Sequence, residues 1–325
     1  NGARGALDAG LLPGLLPGGR RATDAGPVAS VWRHLPENPG LDTRGMLEAA
    51  AAGDIKALYL VGVDPVRDFE DPRLARAALE RVDTLVVQDL LPTETTRYAD
   101  VILPAAAPQE RVGSFTTWEG RRQPFPAAVA PEGLVDTDTD IVRQLARAMG
   151  TDLGWETAAD VRREAAPLME VPVRATERLR LALPDAAPAG DTESRIGQDS
   201  LTDPATEQLD VVVMDHLIGD GSMLLGAKAL QETARPAAAW VNAVDAERLG
   251  LADGQQVAVV GDEERIELPA TITPHVAPGV VVLPGSSSGV NAATLVAAGE
   301  PLRVRLEPAR SGDADPAETE QEGSG

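Results

Sequence analysis

The sequence predicts an α/β domain built on a parallel sheet, followed by a smaller, closed, β-rich domain. Three observations predict this. Between Thr43 and Leu103 short apolar strands alternate with helical stretches. After Gln208 the apolar residues fall instead into short strands separated by Asp253-Gly254, Gly261-Asp262 and Pro278-Gly279 turns. A Pro/Ala/Asp-rich stretch from Pro184 to Pro204 parts the two patterns and reads as a linker.

In chain order, Thr43 is placed to cap a helix through Met46, Leu47 and Ala50 to Gly53. Lys56 to Val61 is the first strand. Asp71, with Pro72 at the first helical position, opens a helix through Leu74, Ala78 and Leu79, and Thr84 to Val87 is the next strand. Such strands pair in parallel with helices packed on the faces of the sheet. Ligands of Rossmann-like sheets of this kind sit at the C-terminal strand ends. Those ends are Gly62-Val-Asp64-Pro65 and Gln88-Asp89-Leu-Leu-Pro92, followed by Thr93, Thr95 and Thr96. Asp138 to Met149 carries an apolar stripe of Ile141, Val142, Leu145 and Met149, and Gly150 stops it. Amphipathic helices are expected at Ala158 to Met169 and Ala175 to Leu183. The second domain then reads as strands at Leu209 to Met214, Gln256 to Val260, Arg265 to Thr273 and Val280 to Leu283, with a helix near Asp245 to Leu249. The expected domains are 1–150 and 208–310, joined by an irregular region at 151–207.

At 325 residues and 43% apolar, the chain can bury two ordinary cores. No apolar run reaches the roughly 18 residues of a membrane span, and the first residues lack the apolar core of a leader peptide. A net charge of −22 repels phosphate backbones and anionic headgroups, which argues against nucleic-acid or membrane-surface partners. Part of that charge sits in Ser311 to Gly325, where Asp313, Asp315, Glu318, Glu320 and Glu322 lie among Gly, Ser and Pro; disorder is expected there. Zero cysteines excludes disulfides, thiolate nucleophiles and cysteine-held iron–sulfur clusters from this segment.

Several local patterns have plain structural readings. Gly285-Ser-Ser-Ser-Gly289 matches a nucleophile elbow, but no histidine follows His275 to serve as base, so a simple turn is expected. Gly221-Ser-Met-Leu-Leu-Gly226-Ala-Lys228 misses a phosphate-binding loop, because Ala227 separates the glycine from the lysine. His34, His216 and His275 are too scattered for a metal site. Asp136, Asp138 and Asp140 lack the glycine and distal glutamate of a calcium loop and read as helix-capping acids. Glu110, Arg111, Glu119, Arg121 and Arg122 flank Gly113-Ser-Phe115, which reads as a turn held by an Arg/Glu network.

Three stretches carry a family resemblance. The first is Thr93-Glu-Thr-Thr-Arg-Tyr-Ala-Asp-Val-Ile-Leu-Pro104, followed by Gln109-Glu-Arg-Val-Gly-Ser-Phe115 and Trp118-Glu-Gly-Arg-Arg-Gln123. The second is Asn1-Gly-Ala-Arg-Gly-Ala-Leu-Asp-Ala-Gly10 with Leu12-Pro13 and Leu16-Pro-Gly-Gly19. The third is Val241-Asn-Ala-Val-Asp-Ala-Glu-Arg-Leu-Gly250, with Leu251-Ala-Asp-Gly-Gln-Gln-Val257 and Ala277-Pro-Gly-Val-Val281. Together they resemble the molybdopterin oxidoreductase superfamily, the third stretch resembling its C-terminal dinucleotide-binding domain. The resemblance implies a double-psi-barrel-like second domain. Because the chain opens on Asn inside a family motif, it is expected to be a piece of a longer protein.

Within the superfamily the chain is similar to the large iron–sulfur subunits of bacterial NADH:quinone oxidoreductase, respiratory complex I, of the actinobacterial type. Gly62-Val-Asp64-Pro65 has Asp where many pterin-binding members have Asn, Asn242-Ala243 lacks a following Pro, and Met214 to Lys228 lacks an Arg/Thr/His-rich opening. A carboxylate only accepts hydrogen bonds and repels a pyrophosphate, so these departures weaken dinucleotide binding. The resemblance then implies a scaffold with no catalytic residue, metal or other cofactor in this segment, and iron–sulfur clusters in the upstream half. It also implies partners among the other peripheral-arm subunits of complex I, on the cytoplasmic side of the bacterial inner membrane. The competing implication is an active molybdenum or tungsten enzyme such as a formate dehydrogenase or nitrate reductase. Its molybdopterin dinucleotide would lie along Gly62, Asp64, Gln88, Asp89, Thr93, Thr95, Asp100, Asn242 and Asp245.

Overall fold

The computed structural model describes residues 2–21, 25–32, 34–35, 38–169, 208–219, 221, 224, 226–261, 264–285, 292–295 and 303–309. The chain divides into two compact units, Asn1–Phe69 with Arg73–Asp191, and Thr192–Gly325 with Glu70–Pro72. The expected helix at 175–183, the linker at 184–204, the serines of 285–289 and the tail at 311–325 lie outside the described residues.

The first unit starts with α1 (Ala3–Ala9), the antiparallel pair β1 (Leu15–Leu16) and β2 (Arg20–Arg21), and α2 (Gly26–Ala29). Gly10 ends α1 at φ 78°, and a Cβ there would come within 2.5 Å of the Leu16 carbonyl carbon, so only glycine fits this turn. In α3 (Thr43–Ala52) the cap differs from expectation. Asp42 stands in extended backbone and its carboxylate accepts from the Gly45 N–H at 2.8 Å, while Thr43 is the first helical residue.

Next come β3 (Ala57–Val61), α4 (Pro65–Asp68), α5 (Pro72–Arg81), β4 (Thr84–Asp89) and β5 (Val101–Pro104). The three strands form a parallel sheet in the order β3-β4-β5, with Leu58 opposite Leu85 and Val86 opposite Val101. Leu47 and Ala50 of α3 and Ala75, Ala78 and Leu79 of α5 pack on Leu58, Leu85 and Val87. On the other face Tyr59, Val61 and Val101 are exposed, while Gln88 at the tip of β4 is buried against Asp138 at the start of a later helix. The connections differ on the two sides of β4. A crossover helix joins β3 to β4, but β4 reaches β5 through a single 3-10 turn, Thr95–Tyr98.

The unit continues with an antiparallel hairpin, β6 (Gly113–Thr116) and β7 (Arg122–Phe125), then α6 (Asp138–Ala148) and α7 (Ala158–Met169). Gly113-Ser-Phe115 is therefore strand and not turn; the reversal falls at Thr117–Arg121, where the Gly120 N–H donates to the Thr117 carbonyl at 2.9 Å. Thr137 caps α6 through the Asp140 N–H. At the start of α7 the Thr157 hydroxyl and the Glu156 and Thr157 N–H groups hold the Asp160 carboxyl down to about 2.

The second unit comprises β8 (Gln208–Met214), α8 (Lys228–Gln231), β9 (Ala239–Val241), α9 (Ala243–Leu249), β10 (Gln256–Val260), β11 (Arg265–Ile272), β12 (Val280–Pro284) and β13 (Arg303–Pro308). Its strands close into a six-stranded barrel in the order β10-β11-β9-β12-β8-β13, parallel at β9·β11 and β8·β12. Closure leaves no free sheet edge. Inward positions alternate along each strand and build one core from Leu209, Val241, Val257, Val259, Leu268, Val281, Leu283, Val304 and Leu306. The sequence does not predict β9 or β13. No helix among the described residues is long and apolar enough to cross a membrane.

Candidate functional site

The C-terminal strand ends of the first unit gather most of the expected polar residues. Gly62 follows β3 at φ 62° and its N–H donates to the Gln88 carbonyl at 2.9 Å, which ties the tip of β3 to β4. Asp64, fully buried, stands before α4. Its Oδ1 accepts from the Thr95 hydroxyl at 2.5 Å, and its Oδ2 lies 3.9 Å from Arg67 Nε. The Thr96 hydroxyl donates to the Thr93 carbonyl at 2.7 Å, while the buried Thr93 hydroxyl makes no hydrogen bond among the described residues. The 3-10 turn after β4 thus closes on Asp64.

Gln88 is equally committed. The Tyr59 hydroxyl donates to its Oε1, and its Nε2 donates to Asp138 Oδ1 at 2.7 Å; the other Asp138 oxygen pairs with Arg111. Burial raises the Tyr59 pKa and so keeps the hydroxyl a donor. In the sequence Asp138 and Arg111 read only as a helix-capping acid and a turn-network base. The pair instead reaches across 50 residues of chain to a strand tip, a contact that no local pattern encodes.

Asp89 is the half-exposed acid of the group. Burial raises its pKa most, the Leu90 and Leu91 N–H groups oppose this, and the Asp64 charge adds to the rise. An acid whose folded pKa is raised favours folding below its unfolded pKa. That contribution is lost as pH rises through the folded pKa. Asp89→Asn is therefore expected to stabilise the chain at pH 7 and to lose that advantage once the pH falls below the ordinary aspartate range. Thermal melts at pH 7 and below that range measure this; an equal difference at both would show that the charge is not the cause.

Among the expected residues of the first unit, Asp100 does not join this group. Asp100 lies at the opposite, N-terminal ends of the strands, where its carboxylate accepts from the Leu85 N–H at 2.7 Å. Asn242 and Asp245 belong to the barrel unit. Asn242 caps α9 through the Val244 N–H and donates to the Val276 carbonyl at 2.6 Å. Asp245 accepts from the Gly279 N–H at 2.6 Å and from Arg248 at 2.9 Å. Each of Asp100, Asn242 and Asp245 makes hydrogen bonds within its own unit.

A pyrophosphate-bearing cofactor needs convergent N–H donors or free cations. The strand tips offer acceptor-only carboxylates at Asp64 and Asp89, an amide satisfied at both ends, and one free hydroxyl, Thr93. Within the first unit these side chains supply few donors for such a group. The barrel unit holds a different feature. Met214, Asp215, His216, Leu217, Ile218, Thr233, Ala234 and Arg235 line a cavity of about 370 Å³. Both His216 ring nitrogens are buried without a hydrogen bond among the described residues, and the ring lies 5.5 Å from Trp240. Sequence spacing gives no sign of it. Among the described residues no three His, Asp or Glu side chains cluster to hold a metal ion.

Residues 5–148 match the molybdopterin oxidoreductase model, and residues 222–304 match the molydopterin dinucleotide binding domain. The chain is 36% identical, over 98% of its length, to the G subunit of NADH-quinone oxidoreductase of Streptomyces coelicolor. It is 32% identical, over 90% of its length, to the alpha subunit of NADPH-Fe(3+) oxidoreductase of Geobacter sulfurreducens. It spans only 37% and 34% of those proteins, about a third of each. Among solved structures, acetylene hydratase from Pelobacter acetylenicus shares the fold at TM-score 0.62 and 17% identity, over 87% of this chain and 49% of that one.

Proposed function

The chain belongs to the molybdopterin oxidoreductase family, and from that premise we propose that it is a pterin-free scaffold within the large iron–sulfur subunit of a NADH:quinone oxidoreductase. In this reading electrons pass from NADH through flavin and iron–sulfur clusters held elsewhere to quinone, and this chain buttresses the peripheral-arm subunits on the cytoplasmic side of the membrane. We assign 1–150 to the family's α/β domain and 208–310 to its barrel, with a linker at 151–207 and a polar tail at 311–325. The observation that carries the reading is chemical. Asp64, Gln88 and Thr95 at the strand tips bond to partners inside the protein, and the one acid among them, Asp64, opposes a pyrophosphate. Likeness to the Streptomyces protein over nearly the whole chain supports the choice of member.

A second reading has one observation in its favour. The unsatisfied His216 imidazole lines a cavity with Arg235 inside the unit matched to dinucleotide binding. Under this reading the chain belongs to an active molybdenum or tungsten enzyme, and His216 and Arg235 would hold part of its dinucleotide. That group supplies the redox chemistry, while these residues bind and orient it.

A pair of substitutions separates the two. If the strand tips do no chemistry, Asp89→Asn and Thr93→Ala leave NADH-dependent quinone reduction within about twofold per assembled complex, because asparagine keeps the oxygen that accepts from the Leu90 N–H and the Thr93 hydroxyl makes no hydrogen bond among the described residues. A loss of tenfold or more with assembly intact would rule the scaffold reading out.

A further inference from the structure

We draw no further inference here: the strongest candidate, the cavity in the barrel unit lined by His216 and Arg235, belongs to the site already described, and a ligand there restates the dinucleotide reading already given for it.

Discussion

Asn242→Leu is expected to lower the unfolding free energy of the barrel unit by about 3 kcal/mol. Asn242 works at two places at once. Its Oδ1 accepts from the Val244 N–H at 2.9 Å and caps α9, an arrangement worth about 1 kcal/mol. Its Nδ2 donates to the Val276 carbonyl at 2.6 Å. Leucine leaves that buried carbonyl without its partner, at a cost of about 1–3 kcal/mol. Asn242→Asp keeps the cap and loses the donor, so it should fall between wild type and Asn242→Leu. Chemical denaturation followed by Trp240 fluorescence measures the series. Equal stability of Asn242→Asp and Asn242→Leu would mean that the cap contributes nothing.

Leu85→Ala is expected to cost the first unit about 3 kcal/mol. Leu85 is 1% exposed and sits on the sheet face packed by α3 and α5, where truncation leaves a cavity among Leu58, Val87 and Leu79. Val61→Ala, on the other face and 48% exposed, should cost less than about 1 kcal/mol, since little packing is lost. The contrast measures the one-sidedness of the sheet directly. Costs of similar size for the two would show that the second face is covered in solution.

Much of this architecture is legible in the sequence because its signals are local. Pro72 at a helix start, Ala158–Met169, and the strand Gln256–Val260 with its Asp253-Gly254 turn all fall where propensity and punctuation put them. The strands that sequence reasoning misses lack such signals. Ala239–Val241 is only three residues long, and Arg303–Pro308 alternates inward Val304 and Leu306 with charged outward residues, which lowers its apparent strand character. Gly113 reads as a turn glycine, yet its role is to admit the Phe125 ring across the hairpin, a tertiary demand.

The site divides in the same way. Gly62, Asp64, Gln88, Asp89, Thr93 and Thr95 can be found because strand ends in a parallel sheet are predictable from order alone. What those side chains bond to is not. The Tyr59–Gln88–Asp138–Arg111 chain and the buried His216 imidazole depend on contacts between distant segments, and Asp100 is misplaced by sequence because the residue before a strand resembles any polar turn residue.

Elemental and pterin analysis of the intact protein tests the central claim most directly. If the strand tips are closed by their own side chains and the family fold persists as support, purified material should contain iron with neither molybdenum nor tungsten, and acid oxidation should release no fluorescent pterin. One molybdenum or tungsten atom per chain, accompanied by a released pterin, would contradict it.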